Sequence, residues 1–167
     1  MKPLLFLLLY FYLPNAFLSV VSYPQQKVYY KVIGVKDGDT IELLVDGKPM
    51  TVRLAHIDCP EKKQLFGTKA KQATSDLAFG KQVQVRHHQK KDRYGRLIAE
   101  IILPDGRILN QILVKQGLAW HFKKYSKDPT YTRLEQEARQ KKIGIWSEDA
   151  IAPEQWRQQK RKKIKSL

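Results

Sequence analysis

Five short runs rich in β-branched and aromatic residues, interrupted once by a helical pattern, limit what this chain can fold into. The first spans Lys27 to Val35, with Val28, Tyr29, Tyr30, Val32, Ile33 and Val35. The second, Thr40 to Val45, follows an Asp37-Gly38-Asp39 turn, and Asp46-Gly47 then predicts a tight hairpin into a third strand at Met50 to Leu54. Gly67 to Phe79 reads as a helix whose Ala70, Ala73, Leu77 and Ala78 form one apolar stripe, stopped by Gly80. Val83, Val85 and His87 alternate with polar neighbours in a fourth strand, Gln82 to His88, which predicts one buried face. Arg96 to Leu103 is the fifth, closed by Pro104-Asp105-Gly106.

Two more helices are expected, one from Leu109 to Gln116 before Gly117 and one from Thr130 to Lys142 before Gly144. There is no internal repeat. Cys59 is the sole cysteine, so no intramolecular disulfide is possible and the fold must rest on its core. Five strands with a helix between the third and fourth is the order of an OB-fold barrel. The expected class is α+β, mainly β: a five-stranded OB-fold barrel with three helices.

The 167 residues suit one domain with flanking segments. Met1-Lys2 precedes an apolar run to Leu13, then Pro14-Asn15, then a second apolar stretch ending in Val20-Val21-Ser22. That is the layout of a secretory signal peptide over residues 1–22, removed after Ser22, and it places the chain outside the cytoplasm, secreted or periplasmic. The competing reading is an uncleaved membrane anchor, since Leu4 to Tyr23 approaches the roughly 20 residues that span a bilayer. The domain proper is expected over residues 23–148. Residues 149–167 form a basic tail, in which Glu154 to Leu167 reads as a frayed helix or a disordered segment.

Thirty-one Lys and Arg against sixteen Asp and Glu give a formal charge of +15, a statement about partners rather than fold, with nucleic acid the commonest polyanion it serves. A merely soluble cationic protein carries the same charge. Against this background, acids gathered beside turn residues are informative. Asp37-Gly38-Asp39-Thr40, then Arg53 through Asp58-Cys59-Pro60-Glu61, then Asp92-Arg93-Tyr94-Gly95-Arg96 suggest oxygen ligands for a hard cation and arginines for an anionic ligand. Each has a plainer alternative: Asp before Gly is ordinary turn chemistry, and an arginine on a strand is ordinarily a surface charge. Cys59 with His56 three residues before it would serve as a nucleophile only if the two were adjacent in space.

In their order and intervals, these segments, with Gln116-Gly117-Leu118-Ala119 and Gly144-Ile145-Trp146-Ser147, resemble the staphylococcal nuclease, or thermonuclease, family from about Lys31 to Ser147. The resemblance implies a calcium ion held by Asp39, Asp58 and the backbone carbonyl of Cys59, with Asp37 close by in support. It implies Glu61 as general base and Arg53 and Arg96 as the phosphate-binding pair. Tyr94 and Tyr125 become candidate substrate contacts. Cys59 stands where the family often has Thr, a swap that a backbone carbonyl ligand tolerates.

The implied activity is a calcium-dependent, sugar-nonspecific endonuclease that hydrolyses DNA and RNA by in-line attack of water, leaving 3′-phosphate ends. The alternative is a non-catalytic nucleic-acid-binding barrel, against which stands the retention of Asp39, Arg53, Asp58, Glu61 and Arg96 together. A third reading is a cationic protein that adheres to DNA or membrane surfaces. No obligate protein partner is implied, and a monomer is expected.

Overall fold

Asp46 and Gly47 take φ of 49° and 74°, so both central residues of the hairpin lie in the left-handed region that matches the twist of the flanking strands. The turn sets the register of β2 (Thr40–Val45) on β3 (Lys48–Leu54), pairing Thr40 with Arg53 and Ile41 with Val52. The computed structural model describes residues 28–165, and the leader expected over residues 1–22 lies outside them. Among the described residues no helix is long and apolar enough to cross a membrane.

The remaining strands of the barrel are β1 (Tyr30–Asp37), β5 (Gln82–Lys91) and β6 (Leu97–Ile102). They close it in the order β1-β2-β3-β6-β5, antiparallel except for β3 beside β6. Closure leaves no free sheet edge. Inside lie Val32, Ile41, Leu43, Val52, Leu54, Val83, Ala99 and Ile101, the inward half of each alternating strand. A separate two-stranded pair, β4 (Ile57–Asp58) with β7 (Trp120–His121), stands beside the barrel and had no signal in the sequence at its two-residue length.

Several boundaries move. β1 starts later than its apolar run and ends at Asp37, leaving Val28 and Tyr29 exposed ahead of it. β5 runs three residues past His88, to Lys91. The first helix, α1 (Gly67–Ala78), caps the barrel with Gly67, Ala70, Thr74 and Ala78 buried and ends one residue early, so Phe79 is exposed. α2 (Leu109–Lys115) and α3 (Pro129–Gln140) follow the expected ranges closely. Among the described residues there are four α-helices rather than the three expected: α4 (Pro153–Lys165) occupies the segment read as a frayed helix or a disordered segment.

Gly117 ends α2 with φ of 65°, and Leu118 N–H reaches back to Leu113 O at 2.8 Å, a Schellman cap. Gly144 is not the cap of α3, since the left-handed residue there is Lys142. Its reason is contact: a Cβ on Gly144 would lie 2.1 Å from Gly117 O, and one on Gly117 would lie 2.2 Å from Ile143 O. The two glycines let the loops after α2 and α3 pass backbone to backbone, joined by Ile145 N–H to Gly117 O at 2.8 Å.

A polar network lies under α3. Tyr131 is fully buried, donates its hydroxyl to the Glu100 carboxylate and stacks on His56 at 4.8 Å. Ser126 Oγ sits 2.9 Å from both His56 Nδ1 and His121 Nε2, and Thr132 Oγ1 lies 3.1 Å from His121 Nδ1. Burial holds His121 below its ordinary value; the nearby charges divide, Glu135 and Asp128 favouring the cation and Lys123 and His56 opposing it.

Gly144→Ala should destabilise the protein by about 2–5 kcal/mol in denaturant unfolding, the sum of a left-handed residue and an overpacked contact. A second expectation concerns pH. Because the folded His121 binds its proton less readily than the unfolded one, the unfolded state gains protons first as pH falls below the ordinary value of 6.5. This group's contribution to stability is therefore complete above that pH and declines below it, and melting curves of His121→Gln should show a flatter pH dependence than the parent between about pH 6.5 and 5.

Candidate active site

The acidic turn, the end of β3, β4 and the β5–β6 turn meet at one mouth of the barrel because their strands are neighbours there. Thr40 opposes Arg53 across β2 and β3, Leu54 N–H donates to Asp39 O at 2.8 Å, and Val52 is paired with Leu97 at the start of β6. Thr74 of α1 ties its hydroxyl to Gly38 O at 2.6 Å, which fixes the turn from behind. The result is a cavity of about 720 Å³ lined by Asp37, Asp39, Arg53, Asp58, Glu61 and Arg96.

Arg53 is the centre of its floor. Nη2 lies 3.0 Å from Asp39 Oδ2 and 2.9 Å from Asp58 Oδ1, while Nη1 donates to Leu54 O and Ile57 O at 2.8 and 2.9 Å. Asp39 also accepts from Cys59 N–H at 2.7 Å. Burial pushes the Asp39 carboxyl up to about 7, opposed by Arg53 and reinforced by Asp37 and Asp58. Asp37 does what an Asp before Gly ordinarily does, accepting Asp39 N–H at 3.2 Å and bracing the turn from the edge of the cavity. Asp58 is 4% exposed, whereas the Glu61 side chain is 43% exposed, open to the cavity and to water.

Across the cavity, Asp92 clamps Arg96 through Nε and Nη2, both at 2.7 Å, leaving Nη1 directed toward Thr40 at 3.4 Å. Partial burial would raise the Asp92 carboxyl, but hydrogen bonds from Arg96 and Tyr94 outweigh it and hold it below the ordinary value. Tyr94 and Tyr125 stand at the rim, 67% and 72% exposed, with Arg93 4.8 Å over the first ring and Lys124 5.7 Å over the second. Cys59 is buried, and burial together with Asp39 pushes its thiol well up, so it stays protonated. His56 is committed to Ser126 and Tyr131, which leaves the Cys59 nucleophile reading without support.

A residue that sequence reasoning missed completes the floor. Arg157 of α4 places Nη2 2.7 Å from Asp58 Oδ2 and Nη1 2.8 Å from Glu61 Oε1. Gln158 and Arg161 line the same cavity. The signal was present in the tail, where Glu154, Arg157, Gln158 and Arg161 recur at i, i+3, i+4 and i+7, one face of a helix.

Among the described residues no group of three or more His, Cys, Asp or Glu side chains is placed to hold a metal ion. The donor chemistry nevertheless fits an open site for a hard cation. At the floor Asp39, Asp58 and Glu61 share two guanidiniums, Arg53 and Arg157, with Asp37 beside them at the cavity's edge. Calcium accepts six to eight oxygens, and two carboxylates with a carbonyl leave places for water and an anionic ligand.

Residues 51–148 match the family described as staphylococcal nuclease homologue. This chain belongs to that family. A protein of Escherichia coli named "Uncharacterized endonuclease" is 42% identical over 134 residues, covering 80% of this chain and 87% of its own length. "Micrococcal nuclease" of Shigella flexneri is 40% identical over 138 residues, covering 76% of this chain and 79% of its own. "Protein ParB" of Escherichia coli is 39% identical over 155 residues, covering 86% and 87%. The last alignment is the longest of the three. In this staphylococcal nuclease homologue, then, the barrel expected from the strand order is present, and the residues Asp39, Arg53, Asp58, Glu61 and Arg96 share one cavity.

Arg53→Met should unfold about 3–5 kcal/mol more easily than the parent in denaturant titration, because it leaves buried Asp39 without its guanidinium partner, while Asp58 keeps Arg157. Added calcium should restore part of that loss if the freed carboxylates bind it, a gain read as a concentration-dependent rise in melting temperature.

Proposed function

We propose that the protein is an exported, calcium-dependent endonuclease that hydrolyses DNA and RNA with little sequence preference, cutting the bond between phosphorus and the 5′ oxygen. The observation that carries this reading is the convergence of Asp39, Arg53, Asp58, Glu61 and Arg96 on one cavity of a staphylococcal nuclease homologue. The names of relatives, among them an endonuclease and a micrococcal nuclease, point the same way.

Asp39, Asp58 and the Cys59 carbonyl would hold calcium, which when bound supplies charge neutralisation at a phosphoryl oxygen. Arg53 and Arg96 bind the scissile phosphate from two sides. Arginine suits the task because its planar fork donates two parallel hydrogen bonds and holds its charge at every working pH. Arg96 is fixed by Asp92 before substrate arrives, whereas Arg53, with Nη1 on two carbonyls and Nη2 on Asp39 and Asp58, turns a donor to phosphate as a cation takes those carboxylates from it.

Glu61, the carboxylate open to solvent, accepts a hydrogen bond from the attacking water and directs its oxygen at phosphorus. The bond to the 5′ oxygen breaks, that oxygen leaves with a proton, and the 3′ side keeps the phosphate. Tyr94 and Tyr125 at the rim offer flat faces on which sugars or bases can rest. These contacts address phosphate and ring faces rather than groove edges, which is why sequence preference should be weak. Export rests on the apolar segment at residues 1–22 alone.

The test is cleavage of single-stranded DNA and RNA by the purified protein in calcium, in magnesium and in chelator. Calcium-dependent products with 3′-phosphate ends are expected. Glu61→Gln should lower kcat about 10²–10⁴-fold and Arg96→Ala about 10²–10³-fold, with both variants retaining the parent's melting temperature to within a few degrees. Binding without cleavage under every metal condition would return the non-catalytic alternative.

A further inference from the structure

α4 is seated as part of the cavity wall rather than as a tail. Pro153 at its start is buried, Gln64 Nε2 donates to Ile151 O at 3.1 Å just before it, and Glu154 pairs with Lys124 at 3.1 Å. These contacts hold the helix against the site from its first turn. Its Glu154, Arg157, Gln158, Arg161 face lines the cavity, and Arg157 forks between Asp58 and Glu61, one an expected cation ligand and the other the expected general base.

That contact is built from groups with competing demands. A divalent cation at Asp39 and Asp58 needs the Asp58 oxygens that Arg157 now holds, and it brings two charges where the guanidinium brings one. Arg157, about one-third exposed, then sits beside the position of the scissile phosphate with its donors released. Arg161 follows one helical turn, about 6 Å, along the same face.

We propose that α4 is a wall of the nucleic-acid groove: Arg157 neutralises Asp58 and Glu61 while no cation is bound, and turns to a backbone phosphate when a divalent cation takes Asp58, with Arg161 holding a neighbouring phosphate of the same strand. The inference rests on the nuclease reading above and adds to it a third phosphate-binding arginine, drawn from the segment after the matched family region, which ends at residue 148. In the absence of cation the same guanidinium keeps the carboxylates of the floor paired.

The experiment compares full-length parent, Arg157→Gln, Arg161→Gln and, as a control off the cavity face, Lys160→Gln, each first shown to melt cooperatively. Calcium affinity is measured by titration calorimetry without nucleic acid. Binding of a single-stranded phosphorothioate oligonucleotide, chosen to resist hydrolysis, is measured by anisotropy with calcium and with chelator across salt concentrations. Arg157→Gln should bind calcium about tenfold more tightly, since a charge-assisted competitor is gone. In calcium it should bind the oligonucleotide about tenfold more weakly, with the salt slope smaller by about one phosphate contact; in chelator, where Arg157 holds carboxylates rather than phosphate, the slope should match the parent. Arg161→Gln should lose the same slope in calcium without any change in calcium affinity, and Lys160→Gln should do neither.

Unchanged or weaker calcium binding in Arg157→Gln, or an unchanged salt slope in both arginine variants, overturns the inference while leaving cleavage by the parent, and hence the nuclease reading, in place. A parent that neither binds this oligonucleotide nor cleaves an unmodified one overturns both. Should Arg157→Gln fail to melt cooperatively, Arg161→Gln and Arg157→Lys carry the same comparison, the lysine variant being expected to recover the charge but less of the affinity.

Discussion

The Arg53 guanidinium is the interaction on which the open end of the barrel depends. It bonds the carbonyls of Leu54 and Ile57 and pairs with Asp39 and Asp58, so one side chain pins the end of β3, the β4 strand and the turn after β1. Burying these charges costs several kcal/mol per ion unless each is matched in close geometry, and here it is matched by contacts of 2.8 to 3.0 Å. A pair of carboxylates can therefore stay out of bulk water at the floor of a cavity, which no isolated turn could achieve.

Barrel closure decides what stands around that pin. The parallel pairing of β3 with β6 brings the Asp92–Arg96 turn to the same end as the acidic turn, and the helix α1 fixes Gly38 from below through Thr74. Side chains from distant parts of the sequence are held by rigid strand ends while Glu61, Tyr94 and Tyr125 stay open on loops. A scaffold that is stiff under the site and permissive at its rim suits binding a flexible polymer.

Charge is distributed with the same division. The chain carries a large positive excess, and three of its sixteen acids, Asp39, Asp58 and Glu61, meet Arg53 and Arg157 at the cavity floor. Around the floor stand Lys90, Lys91, Arg93, Lys124 and Arg161. A cationic rim above an acidic floor attracts a polyanion to the mouth and a small cation to the base, each by its own local field. α4 contributes to both levels, with Arg157 at the floor and Arg161 higher on the wall.

The elements that could be read from the chain alone were those fixed by short-range physics. Asp46-Gly47 specified its hairpin because both residues accept positive φ, and the alternation of Val83 and Val85 with polar neighbours in β5 and the stripe in α1 reflect periods of two and 3.6. The candidate site was legible because its residues sit at turns next to those elements, and their convergence follows once the strands close. What the chain could not show was pairing across long separations. Glu100 with Tyr131, the His56–Ser126–His121 bridge, the contact between Gly117 and Gly144, and Arg157 reaching Asp58 ninety-nine residues away depend on packing, not on local pattern. A run of Gln, Lys and Arg has the composition of a solvated tail; only the surface that α4 meets, buried at Pro153 and answered by Asp58 and Glu61, gives that run a place in the fold.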